Sequence, residues 1–264
     1  MRLPGGLLRD GKLRRRVRLR EADGFLELLI AEAPRRTGSF HDGVSRVLGA
    51  LVNDVDGESF GYETAGDLCV ADRQFLMHRA TTVLGMAHHW ISTSCVECST
   101  RFEVEVDFGA LPVGEAGPGF PFVTVDTEAG PLELRVPTGS DEIEIATVGD
   151  GAEAERALLR RCIVGGELPE ALSASDLARI EAALDEVSPW VVTELAGSCP
   201  ACGAIHPVVL DPYVVMRRSA SEFYDEVHTL AWHYHWSEAE ILALPRARRQ
   251  LYLSRVDRAR GMTS

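Results

Sequence analysis

Cys95-Val-Glu-Cys98-Ser-Thr-Arg-Phe-Glu-Val-Glu-Val-Asp107 and Cys199-Pro-Ala-Cys202-Gly-Ala-Ile-His-Pro-Val-Val-Leu-Asp211 are two versions of one pattern. In each, a Cys-x-x-Cys pair turns into a β-branched run, and an aspartate falls nine residues after the second cysteine. A cysteine pair leading into a strand has the form of a zinc knuckle, and two knuckles supply the four thiolates that tetrahedral zinc requires. Cys95, Cys98, Cys199 and Cys202 are therefore the expected ligands of one structural zinc ion. Such a site closes a loop of about a hundred residues through the metal. A redox dithiol is the competing reading of Cys199-Pro-Ala-Cys202, but redox pairs sit at helix N-termini, and Gly203 with Val208-Val209 predicts a turn and a strand.

Working outward, the elements around the two knuckles look duplicated. Strand, helices, strand, knuckle, strand and aspartate follow in the same order twice. Upstream, Leu7–Leu19 reads as a hairpin turning at Asp10-Gly11. A helix follows with Phe25, Leu28, Leu29 and Ala33 on its apolar face, closed by Pro34. Val44, Val47, Leu48 and Leu51 mark a second helix over residues 41–53, and a third begins after Asp72 with Phe75, Leu76 and Arg79. Residues 83–94 read as a strand entering the first knuckle, and residues 102–106 alternate as a half-buried strand. Gly109–Pro121 is Gly- and Pro-rich and reads as a linker. Beyond it come a strand at 132–136, a helix at 151–162, and a helix carrying Leu177, Ile180, Leu184 and Val187 that ends at Ser188-Pro189. Residues 191–195 then form the strand that delivers the second knuckle.

Residues 219–264 differ in character, being helical and rich in aromatics and histidine. Phe223, Val227, Leu230 and Ala231 form one stripe, Ser237-Glu-Ala-Glu240 is a capping box, and Leu244-Pro245 breaks the chain before a basic helix at 246–258. The expected architecture is α+β. Residues 1–121 and 122–218 form two related strand–helix–knuckle halves joined at a zinc-ribbon-like site, and residues 219–264 form a helical extension separable from a folded body.

Net charge is −13, yet residues 1–20 and 246–264 are basic, at +7 and +5, which leaves −25 for the middle. Basic ends could bind nucleic acid, dock on an acidic protein, or fold back on the chain's own body. The acidic body would repel phosphates, which disfavours nucleic acid. No run of eighteen apolar residues occurs, which excludes a helical membrane span. The first residues lack a signal-like apolar region, so a cytoplasmic location is expected. In a reducing compartment the singletons Cys69 and Cys162 read as inert core residues.

No nucleophile elbow, phosphate-cradling glycine loop or His-Glu-x-x-His occurs, and no carboxylate pair stands out as an acid/base couple. The reading is of a protein that is not an enzyme. His88, His89 and His206 lie near the knuckles and could replace a thiolate or hydrogen-bond one, but each reads as an ordinary strand or surface histidine. His228 and His235 share a helix face with Trp232 while His233 points elsewhere, so no metal is assigned there.

The order of segments resembles the T4-type phage baseplate hub assembly chaperone family, found in gene clusters for contractile tails and extracellular contractile injection systems. The resemblance is carried by Leu3-Pro-Gly-Gly6 with its basic strand, Ala71-Asp-Arg-Gln-Phe-Leu76, Phe102–Phe108 with Leu111-Pro-Val113, and Leu134-Arg-Val-Pro-Thr-Gly139. The paired knuckles and Trp236–Leu253 are its most specific parts, whereas residues 37–61 match nothing in it. The first knuckle departs from the pattern in carrying Val96-Glu97 where a proline-containing turn is expected. The resemblance implies a non-enzymatic chaperone for the baseplate hub or spike, with hub, spike, tube-initiator or tape-measure subunits as partners. Trp232, Trp236, Arg246, Arg248, Arg249 and Tyr252 are the expected partner-binding residues. A permanent baseplate component is the alternative, and a zinc-ribbon nucleic-acid binder is a less favoured one.

Overall fold

The computed structural model describes residues 1–36, 38–149, 151–169, 172–217 and 219–261, so the last three residues of the expected extension lie outside it. The chain begins β1 (Arg2–Arg9), β2 (Lys12–Leu19), α1 (Gly24–Arg36), α2 (Phe40–Leu51), β3 (Val52–Val55), β4 (Glu58–Ser59), α3 (Tyr62–Asp67) and α4 (Val70–Val83). Next come β5 (His88–Ser94), β6 (Arg101–Asp107), β7 (Val113–Gly114), β8 (Phe122–Thr127), β9 (Gly130–Arg135), α5 (Gly139–Ile145), α6 (Gly151–Cys162) and β10 (Ile163–Gly165). It closes with α7 (Ala174–Val187), β11 (Trp190–Val191), β12 (Glu194–Ser198), β13 (Ile205–Val209), α8 (Ala220–Tyr234), α9 (Glu238–Leu242) and α10 (Arg246–Ala259). The fold is α+β with small antiparallel sheets, as the sequence predicts. These elements gather into two compact units interleaved along the chain. One holds residues 1–18, 38–76 and 112–192, and the other holds 19–37, 77–111 and 193–264. Neither coincides with the segments 1–121, 122–218 and 219–264.

In the first unit, β1 and β2 pair around Asp10 and Gly11, both at positive φ (49° and 71°), the conformation a two-residue hairpin turn requires. The basic residues of this hairpin fold back on acids of the same unit: Arg9 on Asp67 (2.5 Å), Arg14 on Glu58 (3.3 Å), Arg15 on Glu115 (3.2 Å) and Arg18 on Asp54 (2.6 Å). The next helix, α2, starts at Ser39, whose hydroxyl accepts from the Asp42 amide, and it buries Val44, Val47, Leu48 and Leu51 as predicted.

Two buried charges on α4 organise this unit. The Asp72 carboxylate accepts from the Gly5 and Gly6 amides at 2.9 and 2.7 Å, tying down β1. Burial raises its pKa, and those two amides oppose the shift. The Arg73 guanidinium donates to Ser45 Oγ and to the carbonyls of Ala65 and His41 at 2.7–3.0 Å. Gly139 lies against this guanidinium so closely that a Cβ there would stand 2.2 Å from Nη1. A second ionic knot follows at once. Arg135 donates twice to Asp141 (2.6 and 2.9 Å) and Arg161 adds a third bond. Burial raises the Asp141 pKa, but Arg135 and Thr138 hold it down to about 2. Behind the sheet β10-β9-β8, Val125, Leu132 and Leu134 pack with Leu159, Cys162 and Ile180 of α6 and α7. The stretch expected as a linker, Gly109–Pro121, is partly built in, since β7 within it pairs with β11.

In the second unit, α1 packs with α8, α9 and α10 around Phe223, Val227, Leu230, Ile241 and Leu242. The helix over 25–33 exists, but its register differs from the expected one. Leu26, Ile30, Ala31 and Ala33 are buried, while Phe25 and Leu29 face solvent, and the helix runs past Pro34 to Arg36. The cause is Glu27, whose buried carboxylate accepts from Arg249 at 2.6 Å and Arg246 at 3.1 Å. Arg249 is therefore not on a partner surface, as expected from sequence, but is fully buried inside this helical cluster.

Candidate metal centre

The metal candidates stand on two hairpins built to the same plan. Pairing of β5 with β6 ends at Ser94↔Arg101, and pairing of β12 with β13 ends at Ser198↔Ile205. Each final pair joins the residue before the first cysteine to the third residue after the second. The turns match bond for bond. Ser99 N–H donates to the Cys95 carbonyl and Gly203 N–H to that of Cys199, both at 2.9 Å. The amides of Cys95 and Cys199 in turn donate to the carbonyls of Thr100 and Ala204. Ser99 and Gly203 both adopt positive φ, 60° and 76°. Val96-Glu97 thus makes the same turn as Pro200-Ala201.

The matched aspartates share a role as well. Asp107 accepts the Gly109 amide on its side chain at 2.8 Å and the Ala110 amide on its carbonyl. Asp211 does the same with Tyr213 (2.9 Å) and Val214. Both close their hairpin with a side-chain-supported turn, which is why the spacing from cysteine to aspartate repeats.

The two turns bring the four thiols together, with every sulfur within 4.8 Å of the others. Cys95 Sγ lies 3.6 Å from Cys202 Sγ, and Cys98 Sγ lies 3.7 Å from Cys199 Sγ. A disulfide would need about 2.05 Å, and all six cysteines are free. Tetrahedral Zn–S bonds of about 2.3 Å imply sulfur–sulfur edges of about 3.8 Å, so the tetrad fits a single ion. Cys95 and Cys199 are buried, whereas Cys98 and Cys202 face solvent.

The thiols are electrostatically unequal. The hydroxyl and amide of Thr100 hold the Cys98 pKa down to about 6. At Cys202 the Ala204 amide lowers the pKa, but the surrounding thiols raise it further, to about 12. That is the order expected when adjoining thiols cannot all ionise together, and a bound cation would remove the conflict.

The histidines near the knuckles separate. His88 is exposed and pairs with Glu105 at 3.3 Å, and His89 lies against Phe108, both at the end of β5 away from the cysteines. His206 is different: it is buried, and its Nε2 lies 3.0 Å from Cys95 Sγ. Reading it as an ordinary strand residue missed this contact. Alternation along β13 signals only that His206 and Val208 turn inward while Ile205 and Val209 face out, not which residue His206 meets.

Cys69 and Cys162 are buried in the first unit. Burial pushes Cys69 well above its usual range and Cys162 to about 11, as befits inert core thiols. On α8, Trp232 is 69% exposed beside His228 and lines a shallow recess of about 500 Å³ with Ala231 and His235. Trp236 stacks on Tyr234 (4.8 Å) and meets Tyr252 edge-on, so both of these expected partner residues are half-buried in the helical cluster. Arg246 is held by Glu27, and Arg248 is exposed. Among the described residues, no helix is long and apolar enough to cross a membrane. Compared with protein families, with curated proteins and with solved structures, the chain matches none.

Proposed function

We propose that this protein is a non-enzymatic assembly chaperone for the baseplate hub or spike of a phage-tail-like contractile injection particle, with one structural zinc at Cys95, Cys98, Cys199 and Cys202. The observation that carries the reading is how the segments bearing the family resemblance meet. The opening Leu3–Gly6 strand is fastened to Asp72, and Gly139 is seated on Arg73. These motifs thus serve one another as structure, which suits a rigid body that holds another protein.

Zinc is favoured over other ions by four thiolates at tetrahedral spacing, and four protein ligands leave no open position for chemistry. Binding free energies of about 10–16 kcal/mol for such sites would go into folding the unit that carries them. A reducing cytoplasm would keep the thiols ready for metal. The partners are hub, spike or tube-initiator subunits, and the exposed Trp232 and Arg248 are the parts of the expected partner surface left open to them. Nucleic acid is less supported, because Arg9, Arg14, Arg15 and Arg18 already sit on acids of their own unit.

The test is to quantify this chain in purified particles and in the soluble lysate after tagged expression at native level. A chaperone is found with hub or spike subunits in the lysate and is missing from finished particles. Fixed stoichiometry in the particle would make it a permanent baseplate component, and recovery with neither would remove the reading.

A further inference from the structure

We propose that His206, on the second hairpin, is the hydrogen-bond donor that holds the Cys95 sulfur of the first knuckle and so sets how tightly the four-thiolate site keeps its metal. This rests on reading the tetrad as a metal centre.

Four thiolates around a divalent ion carry a net charge of −2, and a buried sulfur has no water to share it. Cys98 and Cys202 are exposed and also have local partners, the Thr100 hydroxyl, 3.3 Å from Cys98 and able to donate once that sulfur is a thiolate, and the Ala204 amide for Cys202. Cys95 and Cys199 are only 2% and 1% exposed. For them a protein donor is the sole means of spreading charge. The duplicated plan gives each buried sulfur a neighbour, from the residue four places after a second cysteine. In the first hairpin this is Phe102, which packs in one apolar cluster with Cys95 and Cys199 and has nothing to donate. In the second it is His206, whose Nε2 meets Cys95 Sγ at 3.0 Å. That contact requires the tautomer with its proton on Nε2 whenever Cys95 is a thiolate. At the two buried sulfurs the halves of the centre are therefore alike in backbone and unlike in this one donor.

Metal-site donors of this kind typically change affinity by about 10–100-fold when removed. His206→Phe copies the residue that the first hairpin tolerates at the same place, so it removes the N–H while keeping an aromatic ring. Full-length protein would be titrated with Co²⁺ and then with Zn²⁺ against a chromophoric chelator. The wild type is expected to bind one ion with an all-sulfur cobalt spectrum. His206→Phe is expected to keep that stoichiometry, to bind about 10–100-fold more weakly, and to shift the sulfur-to-cobalt charge-transfer band. His206→Gln, which can still present an N–H, should recover part of both effects and covers the case of a His206→Phe protein that does not fold. Unchanged affinity and band position in both variants would overturn the proposal. So would a wild-type cobalt spectrum with a nitrogen ligand, since His206 would then bind metal itself. A wild type that takes up no ion at all would instead overturn the metal reading, before any variant is compared.

Discussion

Arg249 donates to Glu27 at 2.6 Å with both side chains sealed from solvent, although they stand 222 positions apart in the chain. Arg249 also donates to the Leu244 carbonyl at 2.8 Å and lies 5.0 Å from the centre of the Phe223 ring. Removing one partner of a buried pair costs about 3–5 kcal/mol, here toward the lower end because Arg246 still donates to Glu27. Arg249→Met should therefore lower stability by that amount in urea unfolding, and Glu27→Gln combined with Arg249→Met should lose less than Arg249→Met alone. By the same reasoning, deleting residues 219–264 should disorder α1, seen as lost amide protection over 24–36. The C-terminal helices share a hydrophobic cluster with α1, which is why the truncation should reach it.

Metal removal is the second expectation. Purified protein should carry one equivalent of zinc by elemental analysis. Cys199→Ser should lose both metal and solubility, because Cys199 is one of the two buried members of the tetrad. A folded, soluble Cys199→Ser protein and a metal-free wild type would together rule out the clamp.

His78 makes stability depend on pH. Its ring is buried beside Phe108, Nε2 has no hydrogen-bond partner, and burial pushes its pKa from 6.5 to about 4, with Arg79 adding to the shift and Asp211 opposing it. Between those values the unfolded chain binds more protons than the folded one. The contribution is thus complete above pH 6.5 and is lost as pH falls through 4, about 3 kcal/mol in all. His78→Phe should flatten the fall in urea midpoint between pH 6.5 and 4 relative to wild type.

Ser99 sits at φ 60° where the other knuckle has Gly203. The left-handed conformation costs a residue with a Cβ about 1–2 kcal/mol, and glycine returns part of that as chain entropy. Ser99→Gly should therefore raise stability by about 0.5–1 kcal/mol at full metal loading. A lower melting temperature for the metal-loaded variant would show that Ser99 is not strained.

The elements read correctly from sequence are those whose signals are local. The hairpin turning at Asp10-Gly11, helices α2, α6 and α7, and the capped break at Ser237 and Pro245 each carry their own punctuation. The knuckles were legible for the same reason, down to the repeated aspartate. What was missed depends on distant partners. Phe25-Leu-Glu-Leu-Leu-Ile30 offers two apolar stripes, and the distant Arg246 and Arg249 decide that Glu27 turns inward. The short helix α5, not expected from sequence, is fixed by a capping box in which Asp141 gathers Arg135 and Arg161. Likewise, nothing local to His206 reveals that its neighbour is a cysteine more than a hundred residues earlier.

The interleaving of the two units has a consequence for synthesis. Domains form as the ribosome delivers their parts, and the unit holding the tetrad takes its pieces from residues 19–37, 77–111 and 193–264. Cys95 and Cys98 emerge about a hundred residues before the thiols that complete their set, so a nascent or prematurely terminated chain presents a bare dithiol. The four-thiol set is complete only once translation has passed Cys202.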